Sequence, residues 1–247
     1  MTPLHALAVF AAGVAAGCIN VIVGSGSLIT FPMLIALGYP PVVANVSNTV
    51  GLVPGAVSGV YGYRRELNGQ GSRLFVLGTA SVIGAVAGGL LLLTLPAGAF
   101  EVIVPVLIGV ACILVLVQPR LSSWLGGRQG HPHGGPWLWL GVLASGVYGG
   151  YFGAAQGVVL LALLGIFLTE DLQRVNAVKN VMAGVVNAAA ALLFIAVAHV
   201  NWWVALFIAV GSAIGGLLGA SIGRRLPPIV LRILIVVVGV AAIIKLL

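Results

Sequence analysis

Ten apolar stretches follow one another along this chain, at about residues 4–23, 28–38, 41–62, 74–95, 99–117, 137–152, 154–168, 175–197, 201–222 and 229–246. Only 6% of the 247 residues are charged and 61% are hydrophobic, whereas a soluble domain carries about a quarter charged residues. The chain has too little polar surface to face water, so the bilayer is its solvent. In hydrocarbon every backbone N–H and C=O must be paired internally, which leaves helices and closed barrels as the spanning structures. Barrel strands alternate apolar and polar residues. These runs are continuous, and most approach the ~20 residues of a spanning helix. The reading is an all-α polytopic membrane protein. Its 36 glycines suit helices that pack closely in lipid.

Two of the runs are broken in the same way. The first reads Gly17-Cys-Ile-Asn-Val-Ile-Val-Gly-Ser-Gly-Ser27 and the second Gly146-Val-Tyr-Gly-Gly-Tyr-Phe-Gly-Ala-Ala-Gln156. Gly17 aligns with Gly146 and Gly24 with Gly153 at an offset of 129, and Ser47-Asn48 with Lys179-Asn180 at 132. Glycine-interrupted hydrophobic segments at matching places in two halves are the sequence pointer to a transporter's binding site. Segment 28–38 has 11 residues, about half the length needed to cross a bilayer core. Residues 4–38 and 137–168 are therefore expected to form helical hairpins whose tips meet inside the membrane.

Charge sets the expected orientation. Arg64, Arg65, Arg73, Arg120, Arg128, Arg174, Lys179, Arg224, Arg225 and Arg232 all fall on one side of this threading, and Lys245 is the exception. The opposite loops, near 39–41, 96–98 and 198–201, contain no Lys or Arg. The basic side is expected to be cytoplasmic. The first hairpin then begins and ends outside, the second begins and ends inside, and three crossings follow each. This gives two inverted-topology repeats, each a broken helical hairpin plus three transmembrane helices. The first repeat spans residues 1–117, a cytoplasmic linker 118–136 and the second repeat 137–247, in one integral membrane domain. Both termini are expected to be extracellular. Met1 to Ala8 has no Lys or Arg, unlike the positive start of a secretory signal, so the first segment is read as a retained helix.

The breaks supply the chemistry. The helix after each break starts with unpaired N–H groups and the positive end of its dipole, and two such ends facing each other form a compact anion site. Gly24 and Gly26 allow close backbone approach, while Ser25 and Ser27 are placed to cap the helix or donate to a ligand. Gly153, Ala154, Ala155 and Gln156 occupy the matching positions. Asn20, Asn48, Thr49, Asn180 and Asn187 are intramembrane polar residues, costly unless partnered. Asn48 and Asn180 also match across the repeat. Lys179 either snorkels to the cytoplasmic surface or places a full positive charge beside the pathway.

Other classes fit poorly. Glu66, Glu101, Glu170 and Asp171 sit at segment ends or in loops, which argues against a cation carrier and a carboxylate proton relay. The net charge of +7 reflects the positive-inside pattern rather than nucleic-acid binding. Cys18 and Cys112 lie in apolar segments and read as packing residues. His131 and His133 lack further ligands for a metal site, so neither metal nor cofactor is expected. A serine protease would need a base beside its serine, and the sequence lacks a P-loop. For an anion, the interior-negative potential favours exit by roughly 2.3 kcal/mol per charge per 100 mV.

The run from Gly17 through Pro32, the following Leu-Gly-Tyr-Pro-Pro-Val-Val-Ala-Asn-Val-Ser-Asn-Thr49 and Val53-Pro54-Gly55 resemble the sulfite exporter TauE/SafE family. Tyr148 through Gly157 and Asn176 through Asn187 are similar to that family's second repeat. The likeness covers nearly the whole chain. It implies an inner-membrane permease for small sulfur-containing anions such as sulfite or organosulfonates, without enzymatic activity. It also implies a first half-site from Asn20, Gly24, Ser25, Gly26, Ser27, Asn48 and Thr49, and a second from Gly153, Gln156, Lys179 and Asn180. Ala154-Ala155 departs from the more glycine-rich second break of many members. The expected function is a secondary transporter, with export preferred, working by alternating access. A passive anion channel and a non-transporting membrane assembly protein are the alternatives. The expected partners are a small anionic substrate and the lipid bilayer, with a homodimer left open.

Overall fold

The computed structural model describes residues 2–125 and 134–222, with isolated helical positions between 233 and 244. The expected last segment, 229–246, therefore lies almost wholly outside the described residues, as do His131, His133, Arg224, Arg225, Arg232 and Lys245. The described secondary structure is helical: α1 (Pro3–Ile22), α2 (Ser27–Ala36), α3 (Pro41–Gly62), α4 (Gly71–Thr94), α5 (Ala97–Leu125), α6 (Gly135–Tyr151), α7 (Gln156–Phe167), α8 (Leu172–Val197) and α9 (Trp202–Ile222). Among the described residues α1, α4, α8 and α9 are long and apolar enough to cross a membrane. At 22 residues α3 is as long, but the run Asn45, Ser47, Asn48, Thr49 lowers its hydropathy.

Local chemistry sets several helix boundaries. Thr2 caps α1 by accepting from the His5 N–H at 3.3 Å, with Pro3 in the first turn, where its missing N–H costs nothing. Asp171 caps α8, accepting from Gln173 N and Arg174 N at 2.9 and 3.0 Å. Helix α5 is longer than the apolar run that announced it. It continues through Pro119 to Leu125 rather than stopping at 117, so the helix occupies the first part of the expected linker. A proline inside a helix removes one hydrogen bond and adds a clash, but does not by itself terminate it.

The helices interleave. The first helix of each broken hairpin packs on a long helix from the other half of the chain, α1 on α9 and α6 on α4, while α3 and α8 join the two groups. The two crossings are built alike. A Cβ on Gly84 would lie 2.3 Å from the Leu143 carbonyl oxygen, and one on Gly88 2.0 Å from that of Val147. A Cβ on Gly215 would lie 2.0 Å from the Val14 oxygen, and one on Gly219 2.7 Å from that of Cys18. Backbone lies against backbone at both crossings, so only glycine fits without parting the helices.

Candidate functional site

Between α1 and α2 the chain reverses at Gly24, φ +86°, and between α6 and α7 at Gly153, φ +75°. Several hydrogen bonds around the two turns correspond. Val23 N and Gly24 N both donate to Ile19 O, at 2.7 and 3.1 Å, as Phe152 N and Gly153 N do to Tyr148 O, at 3.0 and 3.1 Å. Past the turn, Ile29 N donates to Gly26 O and Val158 N to Ala155 O, each at 3.0 Å. The breaks aligned by sequence thus share a backbone path. They differ at one residue. Ala155 takes a left-handed conformation, φ 57°, costing an L-residue roughly 1–2 kcal/mol, whereas Gly26 at the matching position is right-handed.

The two tips touch. Gly157 N donates to Gly24 O at 3.0 Å, and a Cβ on either glycine would come within 2.4 Å of the other's Cα. Nothing larger than glycine fits this contact. The internal repeat did not single out Gly157, because at an offset of 129 it aligns with Leu28.

The expected first half-site converges. Asn20 Oδ1 accepts from Gly26 N at 3.4 Å, so Asn20 engages the amide at the start of α2. Neither serine caps it: the N-cap is Gly26, without a side-chain bond. Ser27 Oγ instead accepts from Asn48 Nδ2 at 3.2 Å, and Asn48 Oδ1 accepts from Thr30 Oγ1. Thr49 is turned back on its own helix, donating to Asn45 O at 2.9 Å. Ser25 Oγ is buried, and its side chain has no hydrogen-bond partner.

The second half-site is less saturated. Gln156 Nε2 donates to Ser145 O at 3.2 Å, and the Tyr148 hydroxyl donates to Ala154 O, bracing the turn. Asn180, the counterpart of Asn48, is 5% exposed and its Nδ2 has no partner. The positions matching Ser27 and Thr30 are Gln156 and Val159. The first is engaged elsewhere and the second has no hydroxyl. Asn187, further along α8, has no side-chain bond to the site. Lys179 does not snorkel. It is 0% exposed, and its Nζ donates to Val21 O at 3.0 Å and Asn20 O at 3.4 Å, capping the negative end of α1. Asn45, which the sequence did not single out, caps the end of α6 by donating to Tyr151 O at 3.0 Å.

An aromatic cluster packs beside the tips. Phe31, Phe100, Tyr151 and Phe152 form it, with Phe31 and Phe152 edge to face at 5.1 Å. Toward the basic loops, Glu170 accepts from Arg73 at 3.0 Å and Arg174 at 2.6 Å, and Arg174 reaches Asn68 O at 3.3 Å. This ties the α3–α4 loop to the α7–α8 loop and brings Arg73 and Arg174, two of the arginines assigned to one face, together. Partial burial resists ionisation of Glu170, but the hydrogen bonds from Arg174 and Arg73 outweigh it and hold the carboxyl below its usual range.

These features define a helical multi-pass membrane protein with paired broken hairpins. The chain matches the sulfite exporter TauE/SafE family over residues 9–246 and belongs to it, which places it among membrane transporters rather than enzymes. Relatives include a probable membrane transporter protein of Haemophilus influenzae, 28% identical over 93% of this chain and 89% of the relative. Another is the probable membrane transporter protein YfcA of Escherichia coli K12, 26% identical over 100% of this chain and 91% of the relative. A third is the probable membrane transporter protein ORF9 of a Sinorhizobium species, 28% identical over 98% and 93%. No solved structure matches the chain.

Proposed function

We propose that this chain is a secondary transporter of small sulfur-containing anions such as sulfite or organosulfonates, acting as an exporter. The observation that carries the reading is the meeting of two glycine turns at Gly24 and Gly157, with the buried donors Ser25 Oγ and Asn180 Nδ2 beside or within these elements and without partners. Buried polar groups normally find partners. Two left open, Ser25 at the first break and Asn180 on α8 at the position matching Asn48, suit an oxyanion, which accepts hydrogen bonds on every oxygen. The family description supports the sulfur chemistry, and the names of the relatives support transport.

The proposed mechanism is alternating access between two inverted-topology repeats, 1–117 and 137–247. The matched turns and crossings support it: related interfaces of opposite direction can open in turn around one site. The direct contact between the tips blocks a straight path and favours a carrier over a passive channel. The arginine-rich face is cytoplasmic in this reading, with both termini outside, and the membrane potential drives a free anion outward.

Flux of sulfite, sulfate, thiosulfate and organosulfonates in proteoliposomes tests the proposal. Asn48→Leu removes the amide that holds Ser27 and Thr30, and is expected to lower flux of the transported anion at least about tenfold while the variant still inserts. Undiminished flux in that variant counts against the site.

A further inference from the structure

We infer that the anion carried by this site is singly charged, and that Lys179 sets this charge selectivity. The inference rests on the anion reading above and adds the valence of the substrate. Lys179 and Arg73 are the buried cationic side chains among the described residues. Arg73 is ion-paired with Glu170 at the level of the loops. Lys179 has no carboxylate within ion-pair distance among the described residues; its partners are the Asn20 and Val21 carbonyls at the end of α1. Carbonyl dipoles and a helix end soften the cost of a buried ammonium but carry no net charge. An ammonium has three donors to satisfy, and a buried ion without a counter-ion is expensive. Its full burial closes the route by which a lysine escapes that cost.

The charge lies at the foot of the first break. The same Asn20 whose carbonyl accepts from Lys179 uses its side chain to hold the Gly26 N–H. The other half has no equivalent charge. Ser47 occupies the position matching Lys179 and accepts from Asn201 N at 2.9 Å, and the end of α6 is capped by the neutral amide of Asn45. When Lys179 is protonated, the described interior around the tips holds one positive charge that no carboxylate compensates, and a bound anion is what favours that form. A monoanion brings it to neutrality. A dianion leaves a net negative charge in low-dielectric surroundings and gives back the advantage.

Equilibrium binding to the purified full chain at one fixed neutral pH tests this with methanesulfonate, a monoanion, and sulfate, a dianion with a similar sulfur–oxygen head. Methanesulfonate is expected to bind at least about tenfold more tightly. Lys179→Gln keeps donors for the two carbonyls but removes the charge, and is expected to weaken methanesulfonate binding about thirtyfold or more without lowering the melting temperature in step. Sulfate binding as tightly as methanesulfonate to the unaltered protein, or full methanesulfonate affinity in Lys179→Gln, overturns the inference while leaving the anion site standing. If neither anion binds the unaltered protein, the site reading falls and the inference with it.

Discussion

Ala155 is the residue at which sequence and geometry disagree most. Its left-handed backbone costs roughly 1–2 kcal/mol, yet it is fully buried, and its methyl contributes about 0.8 kcal/mol by burial. The two effects are of similar size. Ala155→Gly is therefore expected to leave the melting temperature nearly unchanged, while Ala155→Val, whose branched side chain tolerates positive φ far less well, is expected to cost about 2 kcal/mol or more and to lower it clearly. Thermal unfolding in detergent compares the three proteins. Sequence reasoning located this break through Gly153 but had no means of telling which following residue would turn left-handed. The serines illustrate the same limit. Ser25 and Ser27 have the right chemistry for capping, but Asn20, four residues before Gly24, reaches the Gly26 amide instead, and which donor wins depends on how the hairpin closes.

At the scale of elements, periodicity and length were enough to place most helices. The ten apolar runs anticipated nine described helices to within a few residues, apart from the end of α5. The pairing of helices was not legible, because a glycine stripe states that something approaches closely without naming the partner. The structure supplies it: α9 reaches α1 through Gly215 and Gly219, and α4 reaches α6 through Gly84 and Gly88. Gly215→Val places a side chain where a Cβ alone would lie 2.0 Å from a carbonyl oxygen, and is expected to separate α1 from α9 and destabilise the fold by several kcal/mol. Gly78→Ala is the control. A Cβ there meets nothing within 4 Å, and the better helix former is expected to be neutral or to add up to ~1 kcal/mol. Equal melting temperatures for the two variants would remove the crossing from the account.

At the scale of the molecule, the two halves of the chain are tied together by contacts far apart in sequence. On the basic face Glu170 joins Arg73 to Arg174. The folded carboxyl is held below its usual range, so its stabilisation is complete above the unfolded value of about 4.3 and fades as pH falls through the lower folded value. Between those values the unfolded chain binds the extra proton, which gives stability that rises with pH. Glu170→Gln is expected to flatten that acid limb of the melting-temperature profile; an unchanged limb would assign it to other groups. The arginines that form this face could be grouped from the sequence by counting charges between apolar runs. The fate of Lys179 could not, since its spacing from Arg174 suited a surface lysine as well as a buried one. The contact at the centre was likewise invisible, because it joins Gly24 to Gly157, residues that do not correspond in the repeat. The most direct measurement is saturable flux of labelled methanesulfonate or sulfite into proteoliposomes containing this chain alone, compared with Gly157→Ala. The tip-to-tip site predicts saturable flux in the unaltered protein and loss of at least about tenfold in a variant that still inserts and melts cooperatively, because the added Cβ forces the turns apart. Equal flux from both proteins would contradict it.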